Sequence, residues 1–211
     1  MFLYVCYIHI TMKYYFCFLG CIALSLVTAQ NDSLIKQFDY KKNTLNHTGM
    51  VVLSSWAGAT IAGSAIGYGL TKSYEEKQFY IMNGAWGVIN LGIALPGLFS
   101  KPKASATIYD MQKNQTTTEK LFLANAMLDV AYITGGLYLK QYGYNQSELK
   151  KQQQFNGFGN AVIVQGAALL VFDAFMTVLN NRNRKTHLDP FLKNASISFT
   201  GNYLKIGYAF H

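Results

Sequence analysis

The chain has 211 residues, of which 51% are hydrophobic and only 13% charged, with a formal net charge of +8. That charge fraction is about half the usual share for a soluble domain, which excludes an ordinary mixed-surface globule. The basic residues are scattered over polar segments without a clustered motif, so the positive balance gives no case for nucleic acid.

The chain opens on a leader. From Met12, "MKYYFCFLGCIALSLVTAQ" joins one Lys to an apolar stretch and ends in small residues suited to cleavage after Ala29, the pattern of a secretory signal over 1–29. The preceding "MFLYVCYIHIT" adds nothing to it, so Met12 is the better start. A lipid-anchored Cys21 fits less well, because apolar residues continue past it. Cys6, Cys17 and Cys21 all lie in the leader, so its removal would exclude disulfides, Cys-ligated metals and Cys nucleophiles from the remainder.

Residues 30–48 form a polar lead-in, with Leu34, Phe38 and Tyr40 or Leu45 at helical spacing for an interfacial helix. Four apolar blocks follow, at 49–70, 79–99, 121–139 and 157–179. Each is close to the ~20 residues that cross a bilayer as a helix, and none contains Lys or Arg. A soluble four-helix bundle would need polar outer stripes that these blocks lack. The expected fold is therefore an all-α, up-down four-helix transmembrane bundle.

Loop 71–78 is short, 100–120 long and polar, and 140–156 ends in "ELKKQQQ". After the last span comes the basic "NNRNRKTHLDP", within a 181–211 tail whose alternation around Gly201-Asn202 predicts a β-hairpin. A cleaved leader would put five Lys/Arg inside (Lys72, Lys77, Lys140, Lys150, Lys151) and twelve outside, the reverse of the positive-inside tendency. Either the leader is handled otherwise, or the basic segments lie on anionic lipid.

Within the spans, Ser55, Ala59, Gly63 and Gly67 recur every four residues and predict a helix-packing face. Gly87, Asn90, Ala94 and Gly97 repeat the pattern on the second span, where Pro96 marks a kink. The third span carries Asn125, Asp129 and Tyr132 on one stripe, and the fourth carries Gly166, Asp173, Thr177 and Asn180 on another. At 1.5 Å per residue, Asn90, Asp129 and Asp173 all lie roughly 9–14 Å below one membrane surface, near the level of Ser55. Asn83 and Asn160 suggest a second polar layer toward the other side.

Two carboxylates at one depth, with no cationic residue in any span, persist by sharing a proton or holding a cation. The candidate site is accordingly Asp129, Asp173, Asn90, Asn125, Tyr132 and Ser55. The bland alternative is a hydrogen-bonded layer that fixes bundle register, and a purely structural role predicts that this layer is satisfied and dry.

Other chemistries lack their residues. None of His9, His47, His187 and His211 lies within a span to bind haem, and no phosphate loop, HExxH helix or G-x-S-x-G elbow occurs. No cofactor or metal is expected, and an enzyme is not. Asn31, Asn46, Asn114, Asn145 and Asn194 begin N-x-S/T triplets.

The stretches "GMVVLSSW" (49–56) and "NGAWGVINLGIALPG" (83–97) resemble a family of small, uncharacterised multi-pass proteins of the bacterial cell envelope, over about residues 45–180. The resemblance implies a four-helix membrane unit, with no catalytic residue to carry over. The expected role is a structural or assembly component of a bacterial inner membrane. A small proton- or ion-handling transporter or channel subunit is the alternative, working as a homo-oligomer if it conducts.

Overall fold

The computed structural model describes the backbone of residues 2–101, 104–199 and 204–208, and side chains over 33–101, 104–190 and 192. Four long helices dominate it: α1 (Phe2–Leu70), α2 (Tyr74–Phe99), α3 (Ile108–Tyr144) and α4 (Leu149–His187). Each of the four is long and apolar enough to cross a membrane, α1 over Ser33–Leu70. The leader expected at 1–29 lies outside the residues whose side chains are described. A short α5 (Asp189–Asn194) follows, and β1 (Ala195–Phe199) pairs antiparallel with β2 (Leu204–Tyr208), placing Ile197 opposite Ile206. The turn expected at Gly201-Asn202 is outside the described residues.

The helices outrun the apolar blocks. Polar segments 108–120, 140–144 and 149–156, expected as loops, are helical. Ser73 accepts the Glu76 amide at the start of α2, and Thr107 accepts the Asp110 amide at the start of α3. The lead-in 33–48 runs without a break into the first span as part of α1. It buries Ile35 and Phe38 with Met111 and Leu188 in a small apolar cluster beyond the membrane-length blocks, while Tyr40 points outward. Asp39 fastens this end by pairing with Lys42 at 3.1 Å and accepting the Ser105 amide at 2.6 Å, which ties the α2–α3 connection to α1.

Burial inside the apolar blocks is inverted relative to a water-soluble core. Large side chains such as Val88, Ile93, Met127, Leu137, Val171 and Phe175 are exposed, whereas Ala57, Thr60, Ser64, Gly87, Asn90, Asp129 and Gln165 are buried. In water such a surface would be a very large apolar patch, but in lipid it is the solvated face. The chain is a multi-pass membrane protein.

Close backbone approach organises the bundle. Along α3 the buried positions Gln115, Phe122, Asp129, Gly136 and Gly143 recur every seven residues, and along α4 Gly159, Gly166, Asp173 and Asn180 do the same. Seven-residue spacing keeps one face on the partner helix throughout. The two run antiparallel, and a Cβ at Gly136 would lie 2.8 Å from the Gly159 carbonyl oxygen. The α1–α2 hairpin zips similarly, with Gly67 under Tyr80, Gly87 on Ala57 and Ile61, and Gly97 on Met50. Parallel packing of α2 on α4 joins the hairpins, closest at Gly157, whose Cβ would meet the Glu75 carbonyl.

The packing stripe of α1 corrects one expectation. Leu53, Ala57, Thr60 and Ser64 face the bundle, and Gly67 joins them, but Ser55, Ala59 and Gly63 face outward. Ser64 is drawn inward by the Asn83 amide, whereas Ser55 satisfies its hydroxyl on the Val51 carbonyl, and this rotates the stripe of four-residue steps away from α2. Gly136→Ala is therefore expected to cost about 1–3 kcal/mol through forced separation of α3 and α4. Gly58→Ala, which meets nothing within 4 Å, leaves stability unchanged or raised. Unfolding midpoints in detergent check both.

Candidate functional site

Antiparallel pairing of α3 and α4 makes the two aspartates converge. Asp129 lies opposite Gly166, and seven residues earlier on α3 Phe122 meets Phe172, the neighbour of Asp173. Helical side chains lean toward their own N-terminus, so in antiparallel helices these two lean toward each other. Both carboxyl groups line one cavity, and Asn125 lines it beside them. Both aspartates are buried, at 3% and 5% exposure, and Asp129 Oδ2 finds no donor on the protein.

Beside them lies a cavity of about 190 Å³ to which all four long helices contribute. Asn90, Asn125, Asp129, Tyr132 and Asp173 line it, so five of the six residues expected at one level are brought together. Ser55 is not among them, because it donates to the Val51 carbonyl on the outer face of α1. Trp86 and Tyr132 meet edge to face at 4.8 Å and 64°, forming an aromatic corner in the cavity wall. Met50, Leu53, Phe122 and Phe172 complete an otherwise apolar lining.

A second polar layer exists, but with different members. Gln165 on α4 is its centre. Its Oε1 accepts from Asn90 and from Trp56 Nε1, both at 3.2 Å, and its Nε2 donates to Asn83 Oδ1 at 2.6 Å. Asn83 in turn donates to Ser64 Oγ at 3.0 Å. The partner expected for Asn83 was Asn160, which lies half-buried on another side of α4 and does not join this chain. Gln165 was legible as the lone Gln of the fourth block, since a membrane amide needs a partner, yet its depth singled it out only once the helices were paired.

Asn90 belongs to both layers, bonding Gln165 and lining the cavity. The amide layer is satisfied, while the acid layer keeps an unpartnered oxygen and open space. Gln165→Leu should cost about 2 kcal/mol of bundle stability, three bonds at roughly 0.6 kcal/mol each, whereas Asn160→Ala should leave the unfolding midpoint in place.

At the surface end of the bundle, Gln115 donates to the Asn180 carbonyl and to Glu119, and Arg184 bonds Glu119 at 3.0 Å. Lys41 Nζ lies 3.1 Å from His187 Nε2, and an ammonium only donates, so that nitrogen carries a lone pair. Burial first, and then the Lys41 charge, hold His187 below its ordinary value of 6.5. The unfolded chain thus binds this proton first as pH falls. Stability from this contact is complete above about pH 6.5 and declines below it. Amide protection factors at residues 180–188, with the intrinsic pH dependence of exchange divided out, should fall between pH 7 and pH 5, and His187→Gln should flatten that response.

A model of a family of unknown function, DUF6992, matches residues 52–174. No curated protein and no solved structure matches the chain.

Proposed function

The chain belongs to this family of unknown function, and on that premise we propose that it handles a proton or a monovalent cation within the bilayer. One observation carries the reading: Asp129 Oδ2, buried and without a donor, beside Asp173 in a cavity to which four helices contribute. Two acceptor groups meeting in a region without Lys or Arg need a proton or a cation between them. The Gln165 network, by contrast, leaves none of its buried amide atoms unpartnered. Asn90 and Asn125 put neutral amides into the cavity wall beside the acids. No reaction is part of this reading, and the protein is not proposed as an enzyme.

A second reading is a structural or assembly component of a cell envelope, of the bacterial inner-membrane type that the sequence resembles. The closed network around Gln165 favours it, because that network fixes three helices without leaving a functional group free. The outward Ser55, Ala59 and Gly63 then offer a close-approach face to another helix, in a homo-oligomer or a different protein. Twelve Lys and Arg in the segments at one end of the bundle suit anionic headgroups there.

Replacing Asp129 and Asp173 by Asn, singly and together, separates the two readings. In proteoliposomes with a pH-sensitive dye, the wild type should relax an imposed proton or Na⁺ gradient, and the double variant should slow this at least tenfold while its unfolding midpoint is kept. Equal fluxes, with a wild-type melting temperature indifferent to pH and Na⁺, would leave the structural reading.

A further inference from the structure

The acid chamber is not sealed from lipid. Packing runs α1 on α2, α2 on α4 and α4 on α3, while the backbones of α2 and α3 stay apart and meet through side chains such as Trp86 on Tyr132. Between them, Ile89 and Ile93 of α2 and Leu128 of α3 line the chamber, yet these side chains are 50%, 59% and 52% exposed on the outer surface of the bundle. Asn125 is exposed at the same cleft. A residue that is both chamber wall and lipid-facing surface marks a mouth. This mouth opens sideways into the acyl region, so its natural visitor is dissolved in the membrane plane.

The chamber wall narrows the chemistry of that visitor. Two carboxyl groups, one with an unpartnered oxygen at 3% residue exposure, call for positive charge. Most of the remaining wall is aliphatic or aromatic, which suits a divalent metal ion poorly, because Ca²⁺ and Mg²⁺ demand a full shell of oxygen ligands. Among the described residues no group of three acidic, His or Cys side chains is placed to hold a metal. Trp86 and Tyr132 form a two-walled corner of the kind that attracts alkylammonium groups through their ring faces. At about 190 Å³ the chamber is smaller than the several hundred Å³ of drug-sized sites, so only a compact head enters.

We propose that the chamber binds the head of a small amphiphilic alkylammonium cation entering from the bilayer between α2 and α3, with Asp129 and Asp173 balancing its charge and Trp86 and Tyr132 packing its methyl groups. The apolar tail stays in the cleft among Ile89, Ile93 and Leu128 and continues into lipid. This rests on the cation-handling reading and names its substrate class. Asp129 and Asp173 are binding residues in it, and Asn125 orients Asp173.

The test uses the full chain in lipid nanodiscs and follows tryptophan emission, since Trp86 stands in the wall. Hexyltrimethylammonium chloride, below its micellar range, should give a saturable change. Equimolar NaCl and the neutral hexanol should not. Half-saturation should rise at least tenfold in Asp129→Asn/Asp173→Asn, and the signal should largely vanish in Trp86→Phe. The comparison among the three solutes uses the wild type alone, so it holds whether or not a variant folds. A response to hexanol equal to that of the ammonium overturns the inference, as does a response unchanged in the Asn variant. If proton or Na⁺ flux depends on the aspartates while hexyltrimethylammonium gives no saturation, the substrate class is wrong and cation handling stands. If neither flux nor ammonium binding depends on them, both fail.

Discussion

Contact of backbone with backbone at Gly136 and Gly159 is the constraint from which the rest follows. Lipid gives helices no hydrophobic reason to associate, so the register of α3 on α4 comes from how closely they approach and where. With glycine at the crossing, the two helices lock antiparallel, and a seven-residue repeat carries that register from Gly143 to Gln115. The meeting of Asp129 and Asp173 is a consequence. Had the helices slipped by one turn, each carboxyl group would face a backbone or an acyl chain, and neither arrangement is tolerable for an acid in hydrocarbon.

The bundle treats its two kinds of polar group differently. Amides carry both donors and acceptors, so a few of them close a network among themselves, as Gln165, Asn90 and Asn83 do with Ser64 and Trp56. Ionised carboxylates only accept. Placed together without a cation, they leave a deficit of donors that no neighbouring amide removes entirely, and the orphaned oxygen of Asp129 is that deficit. Sharing Asn90 between the layers couples them, because any movement that repositions Asn90 toward the acids strains its bond to Gln165.

Much of this was legible in the residues. Four spans, their antiparallel order and the common depth of Asn90, Asp129 and Asp173 follow from block length and rise per residue alone, and helical spacing puts Asn125 and Tyr132 on the stripe of Asp129. Rotation about each helix axis was harder to read. Ser55, Ala59 and Gly63 have ideal packing spacing, yet Leu53, Ala57, Thr60 and Ser64 occupy the interface, because the Asn83 amide draws Ser64 inward whereas Ser55 satisfies its hydroxyl on the Val51 carbonyl. Helix ends were also hidden. Hydropathy reports where the oil stops, whereas α2 and α3 begin at the caps Ser73 and Thr107, and polar turns at 108–120 and 149–156 extend the rods beyond the apolar blocks. Gln165 and Trp56 entered the network only through pairing of distant segments, which no local pattern encodes.

The meeting of two acids in mid-membrane is open to direct measurement. Solid-state NMR on the aspartate-carboxyl-labelled protein in bilayers should give a cross-peak between the Asp129 and Asp173 carboxyl carbons that disappears in either single Asn variant. Contact of either carboxyl carbon with lipid acyl protons, and no cross-peak between the two, would contradict the account.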